Sequence, residues 1–234
     1  MHRFLHVLFK FFSTLFLWFL SIALVVSLIR LIMQGKTTSL GWAVTAGLVG
    51  GLFVFPKIKL LPLYVFGHEL THWAVAVLFR RKTSNIRLRL RSGSVDVDRP
   101  NIWIILAPYF IPFYMVLILG FYGLLLFCFR DLSLWTETTM AICIGVTYAY
   151  HLVLTFIAIS NGQQDLKING VVFSLSLILA LNLIFVYLGL MLATRQFQSG
   201  THILYQQLKL QALSAIDAAK WIASLISTPK QTPE

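Results

Sequence analysis

The sequence predicts an all-α polytopic membrane protein with five to six transmembrane helices and a small membrane-associated β-hairpin. Hydrophobic residues make up 58% of the chain and charged residues 12%, and the mean hydropathy is +0.81. A soluble domain of this length cannot bury so large an apolar fraction, so most of these side chains need lipid. The apolar residues also form long runs, most of which reach the roughly 20 residues that cross a bilayer.

Six apolar runs can be marked along the chain. The second is short and rich in glycine, which predicts a close-packed, tilted or re-entrant helix in place of a full crossing and leaves the count at five or six. Pro108 and Pro112 predict a kink in the fourth run. The runs cover residues 9–32, 40–55, 60–79, 102–129, 138–159 and 171–193.

Three units follow from these runs. Residues 1–55 hold the N-terminal transmembrane segments, residues 56–193 form a core that carries the polar motifs, and residues 194–234 form an interfacial helix and a polar tail. In the last unit apolar residues recur among polar ones, as in a helix that lies at a membrane surface.

The formal net charge of +11 is explained by membrane topology. In a soluble protein it would indicate nucleic acid, but here the basic residues stand at the ends of apolar runs, so we expect lipid head groups as partners and no nucleic acid. The densest basic cluster follows the third run, which places that connection in the cytoplasm of a multi-pass protein of the cell (inner) membrane. This cluster comprises Arg80, Arg81, Lys82, Arg87, Arg89, Arg91 and Arg99.

The basic connection has the alternation of a β-hairpin over residues 84–99. Apolar and charged residues alternate over 86–91 and over 95–98, on either side of a Ser-Gly-Ser turn signal at 92–94. One face would be apolar, and the other would set arginines opposite aspartates. Two roles stay open: an edge strand that pairs with an extended substrate segment, or a structural hairpin that anchors the bundle at anionic lipid.

The third run contains the motif His-Glu-Leu-Thr-His at residues 68–72. Positions four apart share a helix face, so His68 and His72 can hold one Zn²⁺ while Glu69 serves as a general base. Ionisable groups at such a depth cost about 2.5 to 3.5 kcal/mol each on insertion, so they indicate a functional site. The motif predicts the metal centre of a hydrolase.

A catalytic zinc takes three protein ligands, so one more is needed. We choose Asp165, because it lies where the fifth run breaks, level with the end of the motif helix. His151 is the runner-up ligand, since it lies within the membrane, but on a continuous helix it would be about 21 Å from Asp165. Each has an alternative role, Asp165 as a helix cap and His151 as a hydrogen-bonded packing residue.

Polar residues crowd the break at the end of the fifth run. Asn161, Gln163 and Gln164 could contact a substrate carbonyl or an oxyanion beside the metal. Polar residues at a membrane-facing break need no such role, so both interpretations stay open.

Together these features resemble the site-2 protease family of intramembrane zinc metalloproteases. The resemblance rests on the zinc motif in a membrane helix, the basic hairpin after it, a further crossing and an aspartate at a helix break. It implies one zinc per chain held by His68, His72 and Asp165, with Glu69 as the base. It also makes the middle unit a metalloprotease core that cuts membrane-protein substrates, expected to be single-span helices, in regulated intramembrane proteolysis.

Two other functions stay open. A protein of the same fold could bind or chaperone membrane helices without proteolysis, and it would then bind its partners stoichiometrically and without metal. A membrane zinc protease could also act on soluble peptides from an internal chamber. Cleavage of a soluble peptide that has no membrane helix would favour the latter.

Overall fold

The structure is a computed structural model that describes residues 2–33, 38–89, 92–129, 131–160 and 164–227. Within these ranges it is mostly helical, with one small antiparallel sheet. The helices are α1 (His2–Met33), α2 (Thr38–Val54), α3 (Leu61–Leu78), α4 (Ile102–Phe110), α5 (Phe113–Cys128), α6 (Leu134–Ser160), α7 (Asp165–Ile168), α8 (Val171–Ala193) and α9 (Phe197–Ser227). The strands are β1 (Arg87–Leu88) and β2 (Gly93–Ser94).

Three helices, α1, α6 and α8, are long and apolar enough to cross a membrane. A fourth crossing results if α4 and α5, which are bent by 74° at their junction, form one broken span. α2 is a shorter apolar helix, and α3 is not among the candidate spans in the described part of the chain. A mostly helical chain with membrane-length helices and a small hairpin is therefore confirmed, whereas the predicted five to six crossings are not.

The kink predicted in the fourth apolar run is a sharp break between two helices. Pro108 lies inside α4, and Pro112 directly precedes α5. Proline has no N–H to continue a helix, and the residue before it, Ile111, is extended. The break lets α4 pack against α3 while α5 packs against α6.

Glycines bring α2 and α6 into close contact. Gly47 of α2 lies against the backbone of Ile142, and Gly145 of α6 lies against the backbone of Val44 and Leu48. A Cβ atom at either glycine would collide with these backbone atoms, so only glycine permits this approach. The structure thus shows the close packing expected of the glycine-rich run.

Helix α8 joins three apolar clusters and is the centre of the bundle. Its first half packs with α4, α6 and α7, and its second half packs with α1 and α9 around Tyr187. A further cluster joins it to α2, α5 and α6.

Helix α9 packs against α1 and α8. Ile203, near its start, is buried in the cluster around Tyr187, and Gln211 donates a hydrogen bond to the Phe19 carbonyl of α1 at 3.0 Å. The interfacial position of the C-terminal unit stays a prediction.

The hairpin forms, but its register differs from the predicted one. Arg87 pairs with Ser94, and Leu88 pairs with Gly93. The Ser-Gly-Ser sequence at 92–94 is therefore partly strand. The predicted pairing of arginines with aspartates is wrong at Arg87, which faces a serine.

The physical reason for this register lies in Gly93. Its backbone is pressed against α3, where an added Cβ would lie 2.5 Å from Cγ of Glu69 and 2.8 Å from a methyl carbon of Val65. Real Cβ atoms do not come so close, so this glycine is needed for contact with the helix. The glycine that indicates a turn in the sequence is instead needed for the close approach of the hairpin to α3.

We expect Gly145→Ala to lower the stability of the detergent-purified protein by about 1 to 3 kcal/mol, because the added methyl group collides with the α2 backbone. The measurement is the thermal unfolding midpoint. Gly123→Ala in α5 is the matched control, since a Cβ there meets nothing within 4 Å, and it should leave stability unchanged or raise it by up to about 1 kcal/mol. Equal midpoints for both variants would contradict the close packing of α2 and α6.

Candidate metal centre

The start of α3, which carries the motif at 68–72, is fixed by two tyrosines. Leu60, just before the helix, has a left-handed φ of 41°, and Pro62 stands in the first turn, where its missing N–H is no loss. The Leu60 carbonyl accepts a hydrogen bond from the Tyr150 hydroxyl at 3.0 Å. The Leu63 carbonyl accepts one from the Tyr114 hydroxyl. Helices α5 and α6 thereby set the position of α3.

His68, His72 and Asp165 come together in the structure. One potential ligand atom of each lies within 4.8 Å of those of the other two, and all three residues are partly buried. The histidines stand one turn apart on α3, with ring centroids 4.9 Å apart, and Asp165 is the first residue of α7. A tetrahedral ion bound to all three at roughly 2.0 to 2.2 Å would set these atoms about 3.3 to 3.6 Å apart, which is closer than the 4.8 Å limit within which they lie here.

A hydrogen bond to α4 orients His72. Its Nδ1 atom lies 2.8 Å from the Ile104 carbonyl oxygen. A carbonyl only accepts hydrogen bonds, so Nδ1 carries the proton and the lone pair of Nε2 is left for a metal. Metal-binding histidines usually make such a bond with the nitrogen that does not bind the metal.

His68 has a buried nitrogen without a partner. Among the described residues no group bonds to its Nδ1, and aromatic rings of Tyr64 and Tyr109 pack around it with centroids 5.4 Å away. A buried polar atom left without a partner is costly unless an ion or a water completes it. Two imidazoles and one carboxylate are a donor set of catalytic zinc sites, so the residues present fit zinc.

Asp165 is held by Tyr109. The tyrosine hydroxyl donates to Oδ2 of Asp165 at 2.8 Å, which leaves Oδ1 for an ion. The alternative role of Asp165 as a helix cap does not match this arrangement, because the N-cap of α7 is Gln164 and Asp165 is the first helical residue.

His151 lies in a hydrogen-bond network with Asn182. It is buried, and its Nε2 is 3.2 Å from Oδ1 of Asn182 on α8. The amide nitrogen of Asn182 donates to the Tyr109 carbonyl at 2.9 Å. His151 does not belong to the group of potential ligands found among the described residues, and its contacts are those of a hydrogen-bonded packing residue.

Glu69 lies between the ligand group and the hairpin. It is 9% exposed, and the backbone N–H of Val95 lies near its carboxylate. A cavity of about 250 Å³ is lined by Glu69, His72 and Asp165 on one side and by Val95 and Val97 on the other. Glu69, two potential ligands and the hairpin backbone therefore share one space.

Among the described residues, no strand pairs with the edge of the hairpin that faces this cavity. On the other edge, the Ser84 N–H bonds to the Asp96 carbonyl at 2.9 Å, and the Asp98 N–H bonds to the Lys82 carbonyl at 3.0 Å. In an antiparallel ladder the backbone groups of the residue between them, Val97, point to the opposite side. The second strand of the hairpin thus offers backbone donors and acceptors to the cavity.

The polar residues at the break after α6 are described only in part. Asn161 and Gln163 lie outside the described residues, so their predicted contacts stay predictions. Gln164 is exposed and directly precedes Asp165, a position beside the ligand group.

Three residues of the site were missed from the sequence: Ile104, Tyr109 and Asn182. Two signals could have identified part of this set. Pro108 stands four residues after Ile104 and leaves its carbonyl without a helical donor. Asn182 is an amide within an apolar run, where polar residues usually bond across helices. No local signal distinguishes Tyr109 from the other tyrosines of the chain.

We expect Gly93→Val to lift the hairpin from α3, because the new side chain would occupy the space of Glu69 and Val65. Hydrogen–deuterium exchange of the amides at 92–98 should then accelerate on the order of tenfold. Asp96→Val is the matched control on the same strand, since the side chain of Asp96 is exposed, and its exchange should stay close to wild type. Equal protection in both variants would show that the hairpin does not depend on contact with α3.

Comparison of the chain with protein-family models, with curated proteins and with solved structures finds no match. The assignment of ligands and base therefore depends on the geometry of this chain alone. Two histidines from one helix, an aspartate from another and a neighbouring glutamate form a candidate zinc site.

Proposed function

We propose that this protein is an intramembrane zinc metalloprotease that hydrolyses peptide bonds of membrane-embedded substrates, in regulated intramembrane proteolysis. One observation carries the proposal: potential zinc ligands, a glutamate and an unpaired strand edge surround one cavity. We further propose that the apolar helices form five to six crossings of the cell membrane, with the hairpin on the cytoplasmic side.

The proposed mechanism assigns a separate task to each residue. Zinc, when held by His68, His72 and Asp165, would supply an acidified water and polarise the substrate carbonyl. Glu69 takes the proton of the attacking water and passes it to the nitrogen of the leaving amine. The Val95 N–H lies near the carboxylate of Glu69, and both line the cavity.

The hairpin is the proposed binding site for the substrate backbone. A peptide bond inside a helix is shielded, because its carbonyl is already hydrogen-bonded. A segment that pairs in extended form with the free edge at Val97 would present its carbonyl groups beside Glu69. We propose a single-span membrane helix as the substrate, with the unwound part lying along this edge.

Anionic lipid is the second proposed partner. The basic side chains of the connection after α3 are exposed over the residues that the structure describes. Clustered basic residues at a membrane surface attract anionic head groups, by about 1 kcal/mol per residue near the surface. The exposed members of the cluster are Arg80, Arg81, Lys82, Arg87, Arg89 and Arg99.

Metal analysis tests the proposed ligand set. We expect about one zinc per chain in the detergent-purified protein, measured by mass spectrometry of the metal. His68→Ala and Asp165→Ala should lose it, because each removes one of three donors, whereas His151→Ala should retain it. Zinc retained in Asp165→Ala together with loss in His151→Ala would reverse the assignment. A folded wild type without zinc would favour a non-proteolytic protein that binds membrane helices.

Substitution of the glutamate tests the proposed chemistry. We expect Glu69→Gln to keep its zinc and to lose cleavage of a single-span helix in vesicles by about 10²- to 10⁴-fold, the usual contribution of a general base. Glu137→Gln is the matched control, because Glu137 pairs with Arg195 away from the site, and it should retain activity. Unchanged cleavage in Glu69→Gln would exclude this role. Cleavage of a soluble peptide alone would favour the chamber protease.

A further inference from the structure

We propose that α4 positions two of the ligands of the metal centre, through Pro108 for His72 and through Tyr109 for Asp165. The proposal rests on the zinc site proposed above and adds to it two positioning residues. Both lie in one short helix that is buried from Ile104 to Phe110. Both act through hydrogen bonds that end on a ligand, so their effect should appear in metal affinity.

Pro108 acts through its missing backbone N–H. In a helix the N–H of residue 108 would bond to the carbonyl four residues before it, that of Ile104. Proline has no N–H, and its ring pushes that carbonyl away from the helix axis. The freed oxygen accepts the Nδ1–H of His72 at 2.8 Å. Because Nδ1 is engaged in this way, His72 presents Nε2 to the metal in a fixed direction.

Tyr109, the next residue, acts on the other side of the site. Its hydroxyl donates to Oδ2 of Asp165 at 2.8 Å, so the carboxylate cannot rotate freely and Oδ1 is left for the metal. The ring also packs edge-on against His68, with centroids 5.4 Å apart. Tyr109 thus contacts two of the three proposed ligands directly.

The backbone of Tyr109 is itself anchored. Its carbonyl lies at the end of α4 and accepts a hydrogen bond from Asn182 on α8. Asn182 also lies beside His151. The hydrogen bonds of His151 and Asn182 supply no ligand to the group. Through Asn182, however, they hold Tyr109, which positions Asp165.

A merely structural role for this helix predicts different results. If Pro108 and Tyr109 only shaped the fold, their variants would lose thermal stability but keep the metal affinity and ligand geometry of wild type. If they position ligands, affinity and geometry change. Replacing a hydrogen-bond partner of a metal ligand typically weakens binding by about 10- to 100-fold.

The sharpest test of Pro108 compares two residues with the same methyl side chain. Pro108→Ala restores the N–H, which then competes with His72 for the Ile104 carbonyl. Lactic acid at position 108, introduced as an ester by nonsense suppression, has an oxygen in place of the N–H and leaves that carbonyl free. We expect zinc affinity to fall about tenfold in Pro108→Ala and to return toward wild type with the ester.

Tyr109→Phe tests the bond to Asp165 at constant ring volume. We expect zinc affinity, measured by competition with a chelating dye, to fall by about 10- to 100-fold. The absorption bands of the cobalt-substituted protein should shift, because they report the geometry of the ligands. Tyr122→Phe is the matched control: the Tyr122 hydroxyl is buried without a partner among the described residues and belongs to an apolar cluster around α5. It should bind zinc and cobalt as wild type does.

The outcomes separate this proposal from the proposed function. Zinc affinity and cobalt spectra that match wild type in both Pro108→Ala and Tyr109→Phe would overturn the positioning role and leave the protease proposal intact. Equal loss of affinity in the alanine and ester variants would overturn the role of the missing N–H. A wild type that binds no zinc would overturn both proposals.

Discussion

A polar group in lipid must find its partner within the protein, and at the candidate metal centre backbone carbonyls meet much of this demand. Each of these carbonyls lies where a helix starts, ends or contains a proline. Those of Ile104 and Tyr109 are left without a helical donor by Pro108 and by the end of α4, whereas that of Leu60 also accepts the N–H of Tyr64. The irregular points of the bundle therefore hold the polar side chains in place. The pairs are Leu60 with Tyr150, Leu63 with Tyr114, Ile104 with His72, and Tyr109 with Asn182.

The features predicted well from sequence are those set by local spacing. His68 and His72 share a helix face because they are four residues apart, and the apolar runs match the helices within a few residues at most ends. Asp165 was chosen because it follows a break in an apolar run. In the structure it lies beside both histidines, although its role as a ligand stays a prediction.

The features that sequence could not supply depend on contacts between distant segments. The hairpin register follows from the fit of Gly93 against α3, which no local pattern reveals. Tyr109 was missed because a tyrosine in an apolar run looks the same whether its hydroxyl meets a carboxylate or nothing. The number of crossings depends on how α2, α3 and the broken pair α4 and α5 sit in the bilayer, which hydropathy alone does not determine.

The cavity beside Glu69 has a consequence for selectivity. Glu69 and the hairpin edge at Val97 line the same space, and the backbone groups of a helix are already hydrogen-bonded to one another. A folded helix therefore has no free backbone groups to offer this edge, whatever its sequence. If the site cuts membrane helices, it acts on locally melted chain, and the ease with which a helix melts would rank its substrates before any side chain is recognised.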